Sequence, residues 1–198
     1  MDKHKSQHGS FSSLLSSLFQ QGLKSPPPVH AYSWMTGGRL LSTERELAAI
    51  TKSMKGDFGP ALMPIASPNA NKFSNWLIAI WAGWDFESEN PSAKIEVSYV
   101  QGYGKAFHFR FESPHRGRHG YRHAQFSKNI SNAGVVGTPV SNWEVHESTP
   151  AFPLPCGDEA GLLVACAVSI YGSLMDEDLR SRIRTMSLKD EFLRSIVN

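Results

Sequence analysis

KIEVSYVQGYGKAFHFRFE, residues 94–112, alternates apolar and polar side chains on both sides of a glycine-bearing turn. Period-two alternation marks a strand with one buried face, and two such runs joined by a short turn form a β-hairpin. Ile95, Val97 and Tyr99 share one face of the first strand, and Phe107, Phe109 and Phe111 share one face of the second. His108, Arg110 and Glu112 therefore fall together on the opposite face. Tyr121–Ser127 reads as a third strand and Trp143–Glu147 as a further short one. The centre of the domain is thus an antiparallel sheet over about residues 94–147.

Helices are expected on both sides of that sheet. Phe11, Leu14, Leu15, Leu18 and Phe19 recur at helical same-face spacing, and Gly22 stands where a C-terminal cap belongs. Residues 1–10 are polar and read as disordered, and Lys24–Pro28 (KSPPP) reads as a stiff linker. The expected organisation is an N-terminal arm, residues 1–28, and a single globular domain, residues 29–198. The arm's apolar face is either the first piece of the core or a docking helix for a protein partner.

Thr43-Glu44-Arg45-Glu46 has the pattern of a capping box, predicting a helix to about Met54. Gly56, Gly59, Pro60, Pro64 and Pro68 predict loop. Phe73, Trp76, Leu77, Ile80, Trp81 and Trp84 have helical spacing, although the same run also fits a buried strand; the spacing favours helix. Pro150–Pro155 is too rich in proline for a central strand. Asp158 and Glu159 open a helix through about Tyr171, with Gly172 ending it, and Asp176–Arg184 and Leu188–Val197, the latter capped by Ser187, are two more helical pieces. Helices, then an antiparallel sheet, then helices is the order of an α+β fold.

The 198 residues are 40% hydrophobic, enough for a core that needs no disulfide or metal staple. The formal net charge of +2 is too small for the whole chain to argue for nucleic acid, so only local clustering can. The longest apolar runs, Trp76–Trp84 and Ala160–Tyr171, fall short of the roughly 20 residues of a bilayer span. No signal peptide is read at the N-terminus, and no membrane association is expected. Cys156 and Cys166 lie ten apart in one segment, poorly placed for a disulfide if it is helical. A reducing, cytoplasmic location follows as the expectation.

Clustering does occur, between Phe107 and Phe126. His108, His115, His119 and His123 lie there with Arg110, Arg116, Arg118 and Arg122. Such a strip suits an anionic partner, and the first functional expectation is a binding or accessory subunit engaging nucleic acid or another phosphate-bearing ligand. Its ligand-binding residues would be His115, Arg116, Arg118, His119 and Arg122.

The second expectation is a small metal-independent phosphodiesterase or RNase. His108 and His123 would divide proton removal and donation, with Arg110 and Tyr121 beside them. The third is a protein–protein subunit docking through Phe11, Leu14, Leu15, Leu18 and Phe19.

Two residue sets have the side chains for a metal. His115, His119 and His123 are spaced by four, but Pro114, Gly117 and Gly120 argue against the helix that would stack them. His108, His123 and Glu112, gathered by strands, make the better set. The expectation nevertheless carries no metal and no cofactor. Cys156, just before a helix N-terminus, is a thiol-nucleophile candidate with His146 or His123 as base. No complete enzyme motif is present: there is no C-x-x-C, no G-x-S-x-G and no full phosphate loop.

Overall fold

In the computed structural model the described residues are 3–23, 48–49, 51–64, 76–101, 105–115, 119–126, 138–139, 151–172 and 175–186. They form α1 (Lys3–Leu23), β1 (Lys55–Pro64), β2 (Trp76–Asp85), β3 (Ser92–Gln101), β4 (Lys105–Glu112), β5 (His123–Phe126), β6 (Thr138–Pro139), β7 (Phe152–Pro153), α2 (Glu159–Tyr171) and α3 (Glu177–Met186). The class is α+β, as expected. The sheet runs in the order β1-β2-β3-β4-β5-β7 with every neighbour antiparallel, and β6 pairs with β4 in parallel.

The hairpin forms with the two apolar faces on one side, as its alternation demands. Ile95 faces Phe111, Val97 faces Phe109 and Tyr99 faces Phe107 across β3 and β4. β2 adds Ile80 opposite Val97 and Ala82 opposite Ile95, extending the same apolar face. Ile78, Ile80, Ala82 and Trp84 of β2, with Phe86 beyond it, are all buried in the core.

Two expectations are corrected here. Trp76–Trp84 is a strand, not a helix. β2 is paired on both sides, and such a strand can be apolar throughout, so period-two alternation fades and a helix-like pattern arises by coincidence. The stretch expected as loop, with Gly56, Gly59, Pro60 and Pro64, is β1. It lies at the end of the sheet order, and its register shifts between Phe58 and Ala61. An edge position with a bulge is where a strand tolerates glycine and proline.

Helix α1 begins at Lys3, earlier than expected, and includes residues read as disordered. The side chains of Phe11, Leu14, Leu15, Leu18 and Phe19 are 0–2% exposed. The rings of Phe11 and Phe86 lie 5.4 Å apart, and those of Phe11 and Trp84 lie 6.0 Å apart. Ser12 donates to the carbonyl of Thr51 at 2.9 Å, and Gln21 accepts from the backbone N–H of Asp176 at 3.2 Å. The helix is therefore part of the core and not a detachable arm. Burial also removes Phe11, Leu14, Leu15, Leu18 and Phe19 as a docking face, because the chain's own sheet and helices occupy it. The linker residues 24–28 lie outside the described residues.

Helix α2 starts on the Asp158 carboxylate, which accepts from the N–H of Gly161 at 2.8 Å, and ends at Gly172 with φ of 50°. Positive φ is the reason for glycine at that position. Leu162, Leu163, Cys166, Ala167 and Ile170 join the core, as do Leu179 and Ile183 of α3. Of the helix expected to reach Met54 only residues 48–49 are described as helical, and Thr51–Met54 are turn and bend. Leu188–Val197 and Trp143–Glu147 lie outside the described residues. Among the described residues no helix is long and apolar enough to cross a membrane.

The position of α1 has a measurable consequence. Leu18→Ala is expected to cost about 2–5 kcal/mol, the range for truncating a fully buried leucine. Deleting residues 1–23 is expected to abolish cooperative unfolding. Urea denaturation checks both, and a truncated chain with a wild-type transition would contradict the placement of α1.

Candidate metal centre on the β4–β5 hairpin

Because Phe109 and Phe111 belong to the apolar side, the other face of β4 carries His108, Arg110 and Glu112, as the alternation predicts. β5 places His123 opposite Glu112 and Gln125 opposite Arg110, and β3 places Ser98 opposite His108 and Glu96 opposite Arg110. This polar face is not a solvated one. Glu96, Ser98, His108, Glu112, His123 and Gln125 are all buried. Buried polar groups need partners, so the face is organised by internal contacts. Lys94 ion-pairs with Glu96 while its ammonium stands 5.6 Å from the centre of the Trp81 ring.

Glu112 is the hub. Its Oε2 accepts from Gln125 Nε2 at 3.1 Å, lies 3.4 Å from His123 Nε2 and lies 3.8 Å from His115 Nε2. Its Oε1 has Arg110 at 3.8 Å and Lys94 at 3.9 Å. His115 follows β4 by three residues and is turned back by a single bridge in which its N–H donates to the carbonyl of His119 at 3.0 Å. One ligand atom from each of Glu112, His115 and His123 falls within 4.8 Å of the others.

His123 is the most informative member. It is fully buried, and its Nδ1 lies 3.0 Å from the carbonyl oxygen of Tyr121. A carbonyl only accepts, so Nδ1 carries the proton. In the neutral ring Nε2 is then an acceptor. It has no hydrogen-bond partner among the described residues and faces a carboxylate oxygen, which is also an acceptor. Two opposed lone pairs in a buried place are relieved either by a proton, giving an imidazolium–carboxylate pair, or by a metal cation between them. A histidine fixed at Nδ1 by a backbone carbonyl is also how proteins orient an imidazole for a metal.

The other expected site residues fall elsewhere. His108 shares a hydrogen bond of 2.5 Å with Ser98. Glu112, not His108, stands opposite His123, so the two histidines are four register positions apart, roughly 13 Å along the strand. That separation, with burial of both rings, removes them as an acid–base pair on one substrate. Arg110 is held on the buried face beside Glu112. Tyr121 is exposed, its ring 5.9 Å from that of His123.

Arg122 is not a free cation for a ligand. It donates to Glu159 at 2.7 Å, and Glu159, almost fully buried at the first turn of α2, also accepts from Ser113 at 3.0 Å. The sequence marked Glu159 only as a helix-start residue and gave no sign of this pairing. Arg116 and Arg118 lie outside the described residues. His123 points Nε2 at Glu112, so it is not the base proposed for Cys156, and His146 lies outside the described residues. Neither cysteine is in a disulfide, and burial pushes the Cys166 thiol far up.

A cleft of about 720 Å³ lies beside the centre, with Lys3, His4, Gln7, His115 and Arg122 among its walls. Compared with known proteins, the chain matches no family model, no curated protein and no solved structure.

Burial lowers the pKa of His108 below the ordinary imidazole value, so the folded protein holds the ring neutral where the unfolded chain takes up a proton. Stability from this group is complete above about pH 6.5 and declines as the pH falls below that value toward the folded-state pKa. His108→Asn keeps a partner for Ser98 without the titration. It is expected to shrink the loss of urea midpoint between about pH 7.5 and about pH 5.5. An unchanged loss would show that His108 does not contribute.

Proposed function

We propose that this protein is a metal-binding domain that holds a divalent transition metal, zinc foremost, on Glu112, His115 and His123. The observation that carries the reading is the buried Nε2 of His123, unpartnered among the described residues and turned to the Glu112 carboxylate. The spacing supports it. Ligand atoms on a tetrahedral zinc with bonds of about 2.0–2.1 Å stand roughly 3.4 Å apart. The contacts to Glu112 Oε2 are 3.4 and 3.8 Å. Imidazole and carboxylate together suit zinc, whereas a copper(I) or iron–sulfur site would draw on thiolates. Cys156 and Cys166, neither of them in a disulfide, support a reducing compartment such as the cytoplasm.

Chelator-stripped protein titrated with Zn²⁺ is expected to take up one equivalent and to unfold at higher temperature when loaded, since a ligand that binds only the folded state stabilises it. His123→Ala and Glu112→Gln should each lower zinc affinity by about 100-fold or more, because each removes a ligand outright. Absence of stoichiometric uptake would leave an imidazolium–carboxylate pair as the explanation of the contact and end the metal reading.

A second reading draws on the His/Arg-rich strip of the sequence and on the cleft, whose wall sets Lys3, His4 and His115 beside Glu89 and the paired Arg122 and Glu159. It is binding of a phosphate-bearing ligand, nucleic acid included. Arg122→Ala is a poor probe, since it unpairs the buried Glu159. Replacing Arg116 and Arg118 together by glutamine should weaken binding to a single-stranded oligonucleotide and lower the log–log salt slope by about one per lost phosphate contact. Wild-type protein without affinity at low salt would exclude it.

A further inference from the structure

The set of three ligands leaves a fourth position on a tetrahedral metal, and one residue beside the centre has not been assigned a role. His119 stands across the bridge from His115, and residues directly opposite in an antiparallel pair put their side chains on the same side. Its ring centre lies 5.5 Å from that of His115 and 4.6 Å from that of His123, while those of His115 and His123 are 5.2 Å apart. Three imidazoles thus form a nearly equilateral triangle, with Glu112 facing two of them.

That triangle has the dimensions of a coordination sphere. With a zinc–nitrogen bond of about 2.0 Å, the centre of a bound imidazole lies roughly 3.2 Å from the metal, and two such rings at the tetrahedral angle have centres about 5 Å apart. The three observed separations bracket that value. Aromatic contact alone also brings rings to such distances, but it does not require three histidines around one carboxylate.

We infer that His119 is the fourth ligand and that the centre is a closed tetrahedral site of three imidazoles and one carboxylate. The inference rests on the metal reading above. The nitrogens of His119 lie outside the convergent set of Glu112, His115 and His123. To bind, the His119 ring would turn about its Cβ–Cγ bond, which hardly moves the ring centre, and exchange its present interaction for the metal. Four protein ligands leave no position for water or substrate, which is the mark of a structural rather than a catalytic zinc. The metal then ties the end of β4, the start of β5 and both sides of the intervening turn into one unit.

X-ray absorption on the zinc-loaded full chain tests the inference, because multiple scattering counts imidazoles. Three imidazoles and one oxygen are expected. The cobalt(II)-substituted protein should show intense tetrahedral d–d bands that do not respond to azide. His119→Ala should remain folded, bind zinc about 10–100-fold more weakly, and in the cobalt form respond to azide through the position it has opened. Two imidazoles in zinc-loaded wild type, with His119→Ala binding as tightly as wild type, would overturn the fourth ligand and leave the three-ligand centre standing. No zinc uptake by the wild type would overturn both.

Discussion

The burial of the apolar stripe of α1 against β2 and its neighbours is the interaction on which the rest of the structure depends. Phe11, Leu14, Leu15, Leu18 and Phe19 share one core with Ile78, Ile80 and Trp84 of β2, and with Ile95 and Val97 of β3. α2 and α3 enter the same core through Leu162, Leu163, Leu179 and Ile183. Non-directional burial of this kind dominates folding, and here the described helices contribute it on one side of the sheet. Without α1 the sheet would leave its most apolar strand uncovered on that side.

This one-sided arrangement sets the character of the opposite face. Alternation along β3, β4 and β5 sends polar side chains there, yet the described members are largely buried. Charges in such a place are costly unless paired, and the face is accordingly laced with contacts: Lys94 with Glu96, Arg110 and Gln125 with Glu112, and Ser98 with His108. At the edge of that lattice, where β4 ends, the lattice does not close. Glu112, His115 and His123 converge there, with a buried nitrogen whose partner is not among the described residues. The centre is thus a continuation of the polar face, supported behind by Gln125 and by the carbonyl of Tyr121.

The turn that carries His115 and His119 is anchored from outside the sheet. Ser113 accepts from the N–H of Ala93 at 2.8 Å and donates to Glu159, which also holds Arg122. Both ends of the turn are thereby fastened to the start of α2. A metal inside it would meet ligands that are largely preorganised, which lowers the ordering cost of binding.

The sequence by itself determined the β3–β4 hairpin and the membership of its two faces, because period two leaves a strand no other way to bury Ile95, Val97, Phe109 and Phe111. It also determined helix α2 with its acidic start, Gly172 stop and apolar length, and the helical character of Phe11–Phe19. It placed Glu112 and His123 together, since neighbouring strands share that face. Tertiary structure decided what periodicity leaves ambiguous. Trp76–Trp84 became a strand because it is paired on both sides, and Gly56–Pro64 became a strand because an edge with a bulge accepts proline. The apolar face of α1 went to the core because the sheet offered it a surface. Tertiary structure also separated His108 from His123 and replaced it with His115, since strand register sets neighbours by alignment while a bridge folding the chain back on itself leaves no periodic trace in the sequence.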